Sequence, residues 1–445
     1  MAGYDLAVIG AGPAGYVAAI RAAQLGLKAV CIDPRDTLGG TCLNVGCIPS
    51  KSLLHSTMHY EFLQKQAKHH GIFADRLSID FSRLMTRKNE VVSSLVTGIA
   101  GLFKRHGIAW VQGSASFCSP HELAVDNAII QAKNILIATG SEPSALPFLP
   151  FDETRIVSST GLLRLEKAPK RLLVIGAGVI GVELASVYRR LGVETMIVER
   201  LEQICPAMDI DISKALLKSL KKQGIAFHLG VKVDQEKVKS FDADVVLVAV
   251  GRRPFTHGLG LEKIGIQTDK RGFIPVGKDF RTLHSHIYAV GDVIEGIMLA
   301  HKASEEGVAA VEIIAGHQPR VNYMAMPNVI YTDPEVAAVG MTEREAKEAG
   351  LDVMTGSYMF RGNPRARCAS EEEGLVKVIG DRRSGRLLGM HIMSSPASEM
   401  IGEGVIAMDA SWTIEQLANA SHAHPTYCEA IKEAALNCLE RAIHL

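Results

Sequence analysis

Asp5-Leu-Ala-Val-Ile-Gly-Ala-Gly-Pro-Ala-Gly15 decides the fold. A short apolar run stops at Gly10, and Gly12 and Gly15 follow at GxGxxG spacing. The pattern reads as a buried parallel strand that turns into a helix. Gly10 permits the tight turn, Gly12 lets backbone approach a pyrophosphate, and Gly15 lets helix pack closely on strand. The helix N-terminus then offers unpaired N–H groups and a favourable dipole to phosphate. An Ala-rich helix leads to Leu27-Lys-Ala-Val-Cys-Ile-Asp33, a second strand ending in an acid that can accept hydrogen bonds from ribose hydroxyls.

The same unit occurs twice. Leu172-Leu-Val-Ile-Gly-Ala-Gly-Val-Ile-Gly181 repeats the strand and its glycines, Gly176, Gly178 and Gly181, and Val193-Glu-Thr-Met-Ile-Val-Glu199 supplies the second strand and acid. The offset is 176 − 10 = 166 for the first glycine and 199 − 33 = 166 for the acid. A lone glycine motif is weak; strand, glycines, helix, strand and acid in one register, twice, predict two dinucleotide sites.

Between the two units stands Gly39-Gly-Thr-Cys-Leu-Asn-Val-Gly-Cys-Ile-Pro-Ser-Lys51. Cys42 and Cys47 lie five positions apart in a glycine-punctuated turn that is expected to run into a helix. At that separation the pair can cycle between disulfide and dithiol, one thiolate attacking a bound disulfide and the other resolving it. The bland reading is two buried cysteines acting as small hydrophobes. Adjacency to a dinucleotide site favours the redox reading.

With 445 residues the chain is too long for one core, and about three domains are expected. Hydrophobic content is 47% and charged content 22%, the balance of a globular protein. Lys+Arg and Asp+Glu are 48 each, so no global charge favours nucleic acid or an anionic membrane. No apolar run reaches the roughly 18 residues of a membrane span. A strand pattern that begins by Tyr4 leaves no room for a signal peptide. Eight cysteines with one close pair suit a redox centre in a reducing compartment, and the cytoplasm is expected.

The expected architecture is α/β: two Rossmann-like dinucleotide-binding domains, one inserted in the other, followed by an α+β domain. Residues 1–146 form the first part of one domain, 147–270 the insert, 271–322 the completing part, and 323–445 the last domain. Two helical stretches are expected over residues 52–106, a short β-meander from Trp110 to Val125, and a buried strand over Asn134–Gly140 that ends in a glycine turn. Pro143, Pro147 and Pro150 mark a linker. His55, His59, His69 and His70 have no acid or cysteine at ligand-like spacing, and no metal site is expected. The apolar face near 397–410 reads as core first and as a subunit interface second.

Near the end comes Ser421-His-Ala-His-Pro-Thr-Tyr-Cys-Glu-Ala430. His424 with Glu429 has the make-up of a general acid–base pair. Such pairs are more often structural than catalytic, but a redox dithiol elsewhere needs a base.

The segments GGTCLNVGCIPSK, KNILIATGS, VIGAGVIGVELASV, AVGRRPFT, YAVGDV, MLAHKA and HAHPT with Glu429 resemble the flavin-dependent pyridine nucleotide–disulfide oxidoreductases over essentially the whole chain. The resemblance implies FAD in the first glycine-rich site. Asp33 would bind its adenosine ribose, Lys51 would lie beside the flavin ring, and Asp292 would hold the ribityl region. Ala115, Thr139, Gly140, Ser141 and the segment Met298, Leu299, Ala300, His301 would add contacts. NAD would occupy the second site through Gly176, Gly178, Gly181, Glu183, Glu199, Val233 and Gly251. A carboxylate at Glu199 accepts a free ribose 2′-hydroxyl and repels a 2′-phosphate, although Arg200 follows it.

The resemblance also implies a homodimer whose C-terminal domain dimerises, with His424 acting across to the other subunit's dithiol. It implies oxidation of dihydrolipoamide borne on the lipoyl domain of a 2-oxo acid dehydrogenase complex or glycine cleavage system. The chain departs from the family at Tyr427-Cys428, where leucine and serine are usual, at Asp333, where histidine is common, and at Asp33, where glutamate is usual. An NADPH-dependent low-molecular-weight disulfide reductase is the alternative, opposed by Glu199 and by Ile48-Pro-Ser-Lys51 in place of a double-lysine ending. A non-catalytic flavoprotein subunit is the other, opposed by the intact Cys42, Cys47, His424 and Glu429.

Overall fold

β1 (Tyr4–Ile9) and β2 (Ala29–Asp33) run parallel, from Leu6 opposite Ala29 to Ile9 opposite Ile32, in a computed structural model that describes residues 3–444. Both are buried, as the apolar runs require of a parallel sheet with helices on its faces. α1 (Pro13–Gln24) joins them, with proline at its start, where the missing N–H costs nothing. Its buried face is Ala14, Ala18, Ala19 and Ala22, small enough for another helix, Ala300–Ile314, to press against it. A Cβ on Gly307 of that helix would stand 2.5 Å from the Ala14 carbonyl oxygen.

Among the described residues the first sheet has seven strands. β3 (Ala109–Gln112) pairs parallel with β2, and β6 (Ala128–Ile137) pairs parallel with β1. β4 (Ala115–Ser119) and β5 (Glu122–Val125) fold antiparallel onto β6. The expected meander from Trp110 is therefore corrected: Trp110 belongs to the parallel sheet, and the meander begins at Ala115. Trp110 pairs with Cys31 of β2, so the main sheet takes this stretch before the chain reverses.

The second unit repeats the plan, with strand Arg171–Ile175, helix Val179–Arg190 and strand Glu194–Val198. Its five-stranded sheet is closed by Val245–Val248 beside Arg171–Ile175. The proline-marked stretch before it is more than a linker: Ser141–Pro143 pairs antiparallel with Arg252–Pro254, so both crossings between units travel as one ribbon. Leu259, Leu261, Ile264 and Ile266 already pack in the first core, ahead of residue 271, because the hydrophobic side chains that follow the ribbon find that core first. Strand Ile287–Ala289 then adds to β6.

The last unit is a five-stranded antiparallel sheet that includes Asn328–Ile330, Leu375–Asp381 and Leu387–Ser394. Helix Ala397–Asp409 buries Met400, Ile401 and Ala407 against it and leaves Ile406 67% exposed. Two long helices tie the first unit to the second: Leu53 and Leu54, and Leu84 and Met85 of α4 (Phe81–His106), lie in the second unit's core.

Candidate active site

The two cysteines sit on two helices, one short and one long, that meet at a glycine. α2 (Gly40–Val45) carries Cys42, and α3 (Cys47–Lys65) begins with Cys47 itself. The turn ahead of α2 is pinned by Asn44, whose amide donates to the carbonyls of Leu38 and Gly40 at 3.0 and 2.9 Å. Gly46 separates the helices, and a Cβ there would lie 2.8 Å from the Thr41 carbonyl oxygen. Gly40 adopts φ +56°, and a Cβ on it would strike Gly12 at 2.4 Å, so the cysteine loop is seated directly on the first glycine loop.

Both cysteines are free thiols in this structure. The Cys42 thiol donates to the Cys47 sulfur, which raises the Cys42 pKa, and burial raises it further. The same hydrogen bond brings Cys47 down to about 7 against the upward pull of burial, with help from the Lys51 ammonium. Its place in the first turn of α3 adds the helix dipole in the same direction. The pair is therefore polarised: Cys42 holds the proton and Cys47 the charge.

Lys51 Nζ lies 2.8 and 3.1 Å from the two carboxylate oxygens of Glu183 and 4.6 Å from the centre of the Tyr331 ring. Burial alone would depress Lys51, but Glu183 outweighs it and raises the ammonium's pKa. Glu183 is buried and also accepts the Tyr331 N–H at 2.9 Å. One residue from each of the three units thus meets beside Cys47.

A cavity of about 1680 Å³ connects both glycine loops, the cysteines and Lys51. It is lined by Gly10, Gly12, Asp33, Cys42, Cys47 and Lys51 toward the first unit, and by Gly176, Gly178, Glu183, Glu199, Val233 and Gly251 toward the second. Ala115, Thr139, Gly140, Ser141, Asp292 and Met298 through His301 complete it. Gly15 and Gly181 do not reach it, for they pack helix on strand: a Cβ on either would stand 1.8 or 2.0 Å from the carbonyl oxygen of Gly10 or Gly176.

The acids obey the repeat down to their hydrogen bonds. Asp33 accepts the N–H of Ala11 at 2.7 Å and of Arg35 at 2.9 Å. Glu199 accepts the N–H of Ala177 and of Leu201, both at 2.8 Å. Every residue in the second set is 166 positions after its counterpart, and the aspartate manages both bonds with one methylene fewer. At the other end of the cavity Arg252 Nε donates to Ser141 Oγ at 2.7 Å, and Ser141 Oγ donates to Asp292 at 2.5 Å.

The residues fit two dinucleotides. Neither α1 nor helix Val179–Arg190 has a side chain capping its N-terminal N–H groups, so both leave donors facing the cavity. A Cβ built on Gly178 meets nothing within 4 Å, so the second glycine loop faces open cavity.

His424 and Glu429 stand apart from this cavity. His424 Nδ1 is 2.8 Å from Glu429 Oε1, and Glu429 Oε2 accepts the Thr426 N–H at 2.8 Å. Burial would raise the Glu429 pKa, but the Thr426 N–H and His424 together hold it below the ordinary glutamate value. The His424 side chain is 69% exposed, and a single chain does not bring it to the cysteines.

A family model described as pyridine nucleotide-disulphide oxidoreductase matches residues 4–307, and the dimerisation domain of the same family matches 326–435. The chain belongs to the pyridine nucleotide-disulphide oxidoreductases. It is an oxidoreductase with FAD and NAD as cofactors. Dihydrolipoyl dehydrogenase, mitochondrial, of Pisum sativum is 47% identical, covering 99% of this chain and 92% of its own. Dihydrolipoamide dehydrogenase of Chaetomium thermophilum is 48% identical over 99% and 92%. Among solved structures, LpdA of Mycobacterium tuberculosis superposes with a TM-score of 0.88 at 27% identity, over 97% of this chain and 98% of that one.

Within this oxidoreductase, sequence reading paired His424 with Glu429 but did not find the partners of Lys51, His422 or Tyr427. Lys51 and Glu183 are 132 positions apart, and nothing in either motif signals the pairing. His422 Nε2 lies 2.7 Å from Glu403, and Tyr427 hydrogen-bonds Glu371, each partner coming from a distant helix or turn. His55 and His59 contact each other, Nε2 to Nε2, at 3.0 Å. Among the described residues no group of three or more His, Cys, Asp or Glu gathers as metal ligands would.

Proposed function

We propose that the enzyme oxidises dihydrolipoamide to lipoamide and reduces NAD, with Cys42 and Cys47 as the redox pair and His424, oriented by Glu429, as its acid–base group. The observation that carries this reading is the close pair of thiols, with Lys51 and Glu183 beside it, opening into a cavity that both glycine loops line. When bound, FAD would supply the two-electron chemistry that links the dithiol to NAD. Asp33, Ala115, Thr139, Gly140, Ser141, Asp292 and the Met298–His301 segment would hold that cofactor, while Glu199, Val233, Gly251 and the second glycine loop would hold NAD.

The chain's residues manage the thiols and protons. In the oxidised enzyme Cys42 and Cys47 form a disulfide. His424 accepts the proton of one substrate thiol, and the resulting thiolate attacks Cys42 sulfur. The Cys42–Cys47 bond breaks, and Cys47 leaves as a thiolate stabilised by Lys51 and the α3 N-terminus. The first proton passes from His424 to solvent; His424 then accepts the proton of the second substrate thiol, whose thiolate attacks the substrate sulfur of the mixed disulfide and releases Cys42, which takes that proton from His424. Substrate has lost two electrons and two protons; the enzyme dithiol holds the electrons. Glu429, kept ionised by Thr426 and His424, fixes the ring with Nε2 free for the substrate.

The exposed His424 supports a homodimer in which this residue serves the partner's cysteines, and the matched dimerisation domain supports the same assembly. The lipoyl group comes from a partner's lipoyl domain, in keeping with the names of the relatives. The cytoplasm suits eight cysteines with one close redox pair, although the pea relative is named mitochondrial. Among the described residues no helix is long and apolar enough to cross a membrane.

The test is steady-state reduction of NAD and of NADP by dihydrolipoamide, with glutathione disulfide plus NADPH as the opposing pair. Rapid turnover confined to NAD is expected, lost in Cys47→Ser and reduced at least about a hundredfold in His424→Gln. Turnover only with NADPH and a small disulfide would overturn the reading.

A further inference from the structure

The residue that departs from the family beside the acid–base pair, Tyr427, is held by a clamp absent from every motif above. Helix Pro364–Ala369 is short, and its two flanks grip adjacent residues of the His424 loop. On one side Asn363, which caps the helix through the Ala366 N–H at 2.9 Å, donates its amide to the Thr426 carbonyl at 2.9 Å. On the other side Glu371, whose own N–H is tied to the Ala366 carbonyl at 2.9 Å, accepts the Tyr427 hydroxyl. The Tyr427 ring lies between the buried Phe360, 6.1 Å away, and the Arg365 guanidinium, 6.0 Å away.

Thr426 is also the residue whose N–H fixes Glu429, and its hydroxyl donates to the Ala423 carbonyl at 2.8 Å, bracing the turn that carries His424. We propose that Tyr427 is a positioning residue for the acid–base pair. Its hydrogen bond to Glu371, with that of Asn363 to Thr426, sets where His424 and Glu429 stand and hence how well they meet substrate thiol. The inference rests on the assignment of His424 as the base. A leucine at 427 would keep the packing on Phe360 and lose the directional bond. An O–H donated to a carboxylate is among the stronger side-chain hydrogen bonds, and the half-buried ring leaves it little freedom. Burial, and then Glu371, raises the Tyr427 pKa, so the hydroxyl stays a donor across the working pH range.

The experiment separates the two half-reactions of the FAD-loaded dimer by stopped-flow: flavin reduction by dihydrolipoamide, which needs the base, and by NADH, which does not. Tyr427→Phe and Glu371→Ala are expected to slow the first about tenfold, in line with the sensitivity of catalysis to small misplacements, and to leave the second within about twofold. Glu371→Gln retains an acceptor and should recover most of the rate. The double variant Tyr427→Phe/Glu371→Ala should be no slower than either single one, as for two ends of one contact. Equal slowing of both half-reactions, or no slowing of either, would overturn the clamp. His424→Gln run alongside tells which premise failed: if it too leaves the dithiol step fast, the base assignment is at fault, and if it alone is slow, the clamp is.

Discussion

Lys51 and Glu183 face each other across the seam between the two dinucleotide-binding units, with the ammonium 2.8 Å from one carboxylate oxygen, beside the Cys47 sulfur. The two charges act on that thiol in opposite directions: Lys51 lowers its pKa and Glu183 raises it. Opposite substitutions must therefore have opposite effects. Cys47 should alkylate with iodoacetamide with a midpoint near pH 7 in the reduced enzyme, the thiolate form being lost as pH falls. Lys51→Gln should move the midpoint up and cut the rate at pH 6 severalfold, and Glu183→Gln should move it down and raise that rate. Shifts of the same sign in both variants would mean that the loop, not the charge, had changed.

Placement of His424 makes a prediction about hybrids. Neither Cys47→Ser nor His424→Gln homodimers should turn over dihydrolipoamide at a useful rate. Co-expressed and isolated as a heterodimer, the two should show about half of wild-type kcat, because one composite site keeps both an intact cysteine pair and an intact histidine. A heterodimer as dead as its parents would place cysteine and histidine of one site on one chain.

Two glycines of the second unit should fail in different ways. Gly181→Ala puts a methyl group 2.0 Å from the Gly176 carbonyl oxygen and should cost about 3 kcal/mol of stability, read as a lower denaturant midpoint. Gly178→Ala meets no protein atom, and its backbone, φ −76°, is ordinary for alanine. That variant should fold normally and raise the KM for NAD about tenfold or more, as its methyl group occupies phosphate space. Normal NAD affinity in Gly178→Ala would move the pyrophosphate elsewhere.

A fourth prediction concerns the junction of the second and last units. Lys377, buried on a strand of the last sheet, reaches Asp209 at 2.9 Å and Asp211 and Glu343 at 2.7 Å. Asp209 caps helix Ile210–Lys222, so the lysine fastens the second unit to the last sheet. Removing one partner of a buried pair costs about 3 kcal/mol, and Lys377→Met should lose about that much, less what the half-exposed Asp211 regains from water. In the native protein Asp209 and Glu343 titrate below their ordinary values. Their contribution is thus present at neutral pH and lost as pH falls through those lowered values. In Lys377→Met the crowded acids titrate above them, so the stability gap from wild type should narrow on acidification, as urea unfolding at pH 7 and pH 4.5 would show.

Much of this architecture was legible because its physics is local. A strand that ends at a glycine and a helix that starts there are both written within about ten residues, and the 166-residue repeat showed that the unit recurs. Cys42 and Cys47, five apart, needed no partner to be noticed. What was hidden is contact between distant segments. Nothing near Trp110 says that β2 rather than β4 is its neighbour, since alternation marks a strand but not its pairing. The lowered Cys47 pKa comes from Cys42 and Lys51 brought beside it, which spacing alone does not show. Tyr427 read as an anomaly, because Glu371 is 56 positions away.

α3 begins at the redox pair and continues, through Leu53 and Leu54, into the core of the unit that holds the other nucleotide. A gene exchange that swapped only the inserted unit would leave those leucines facing a foreign surface, and Leu84 and Met85 of α4 with them. The insert is thus continuous in sequence but not separable as a part. Its natural recombination boundary includes the helix that carries Cys47, and a relative able to donate a new nucleotide specificity would have to donate a matching α3 as well.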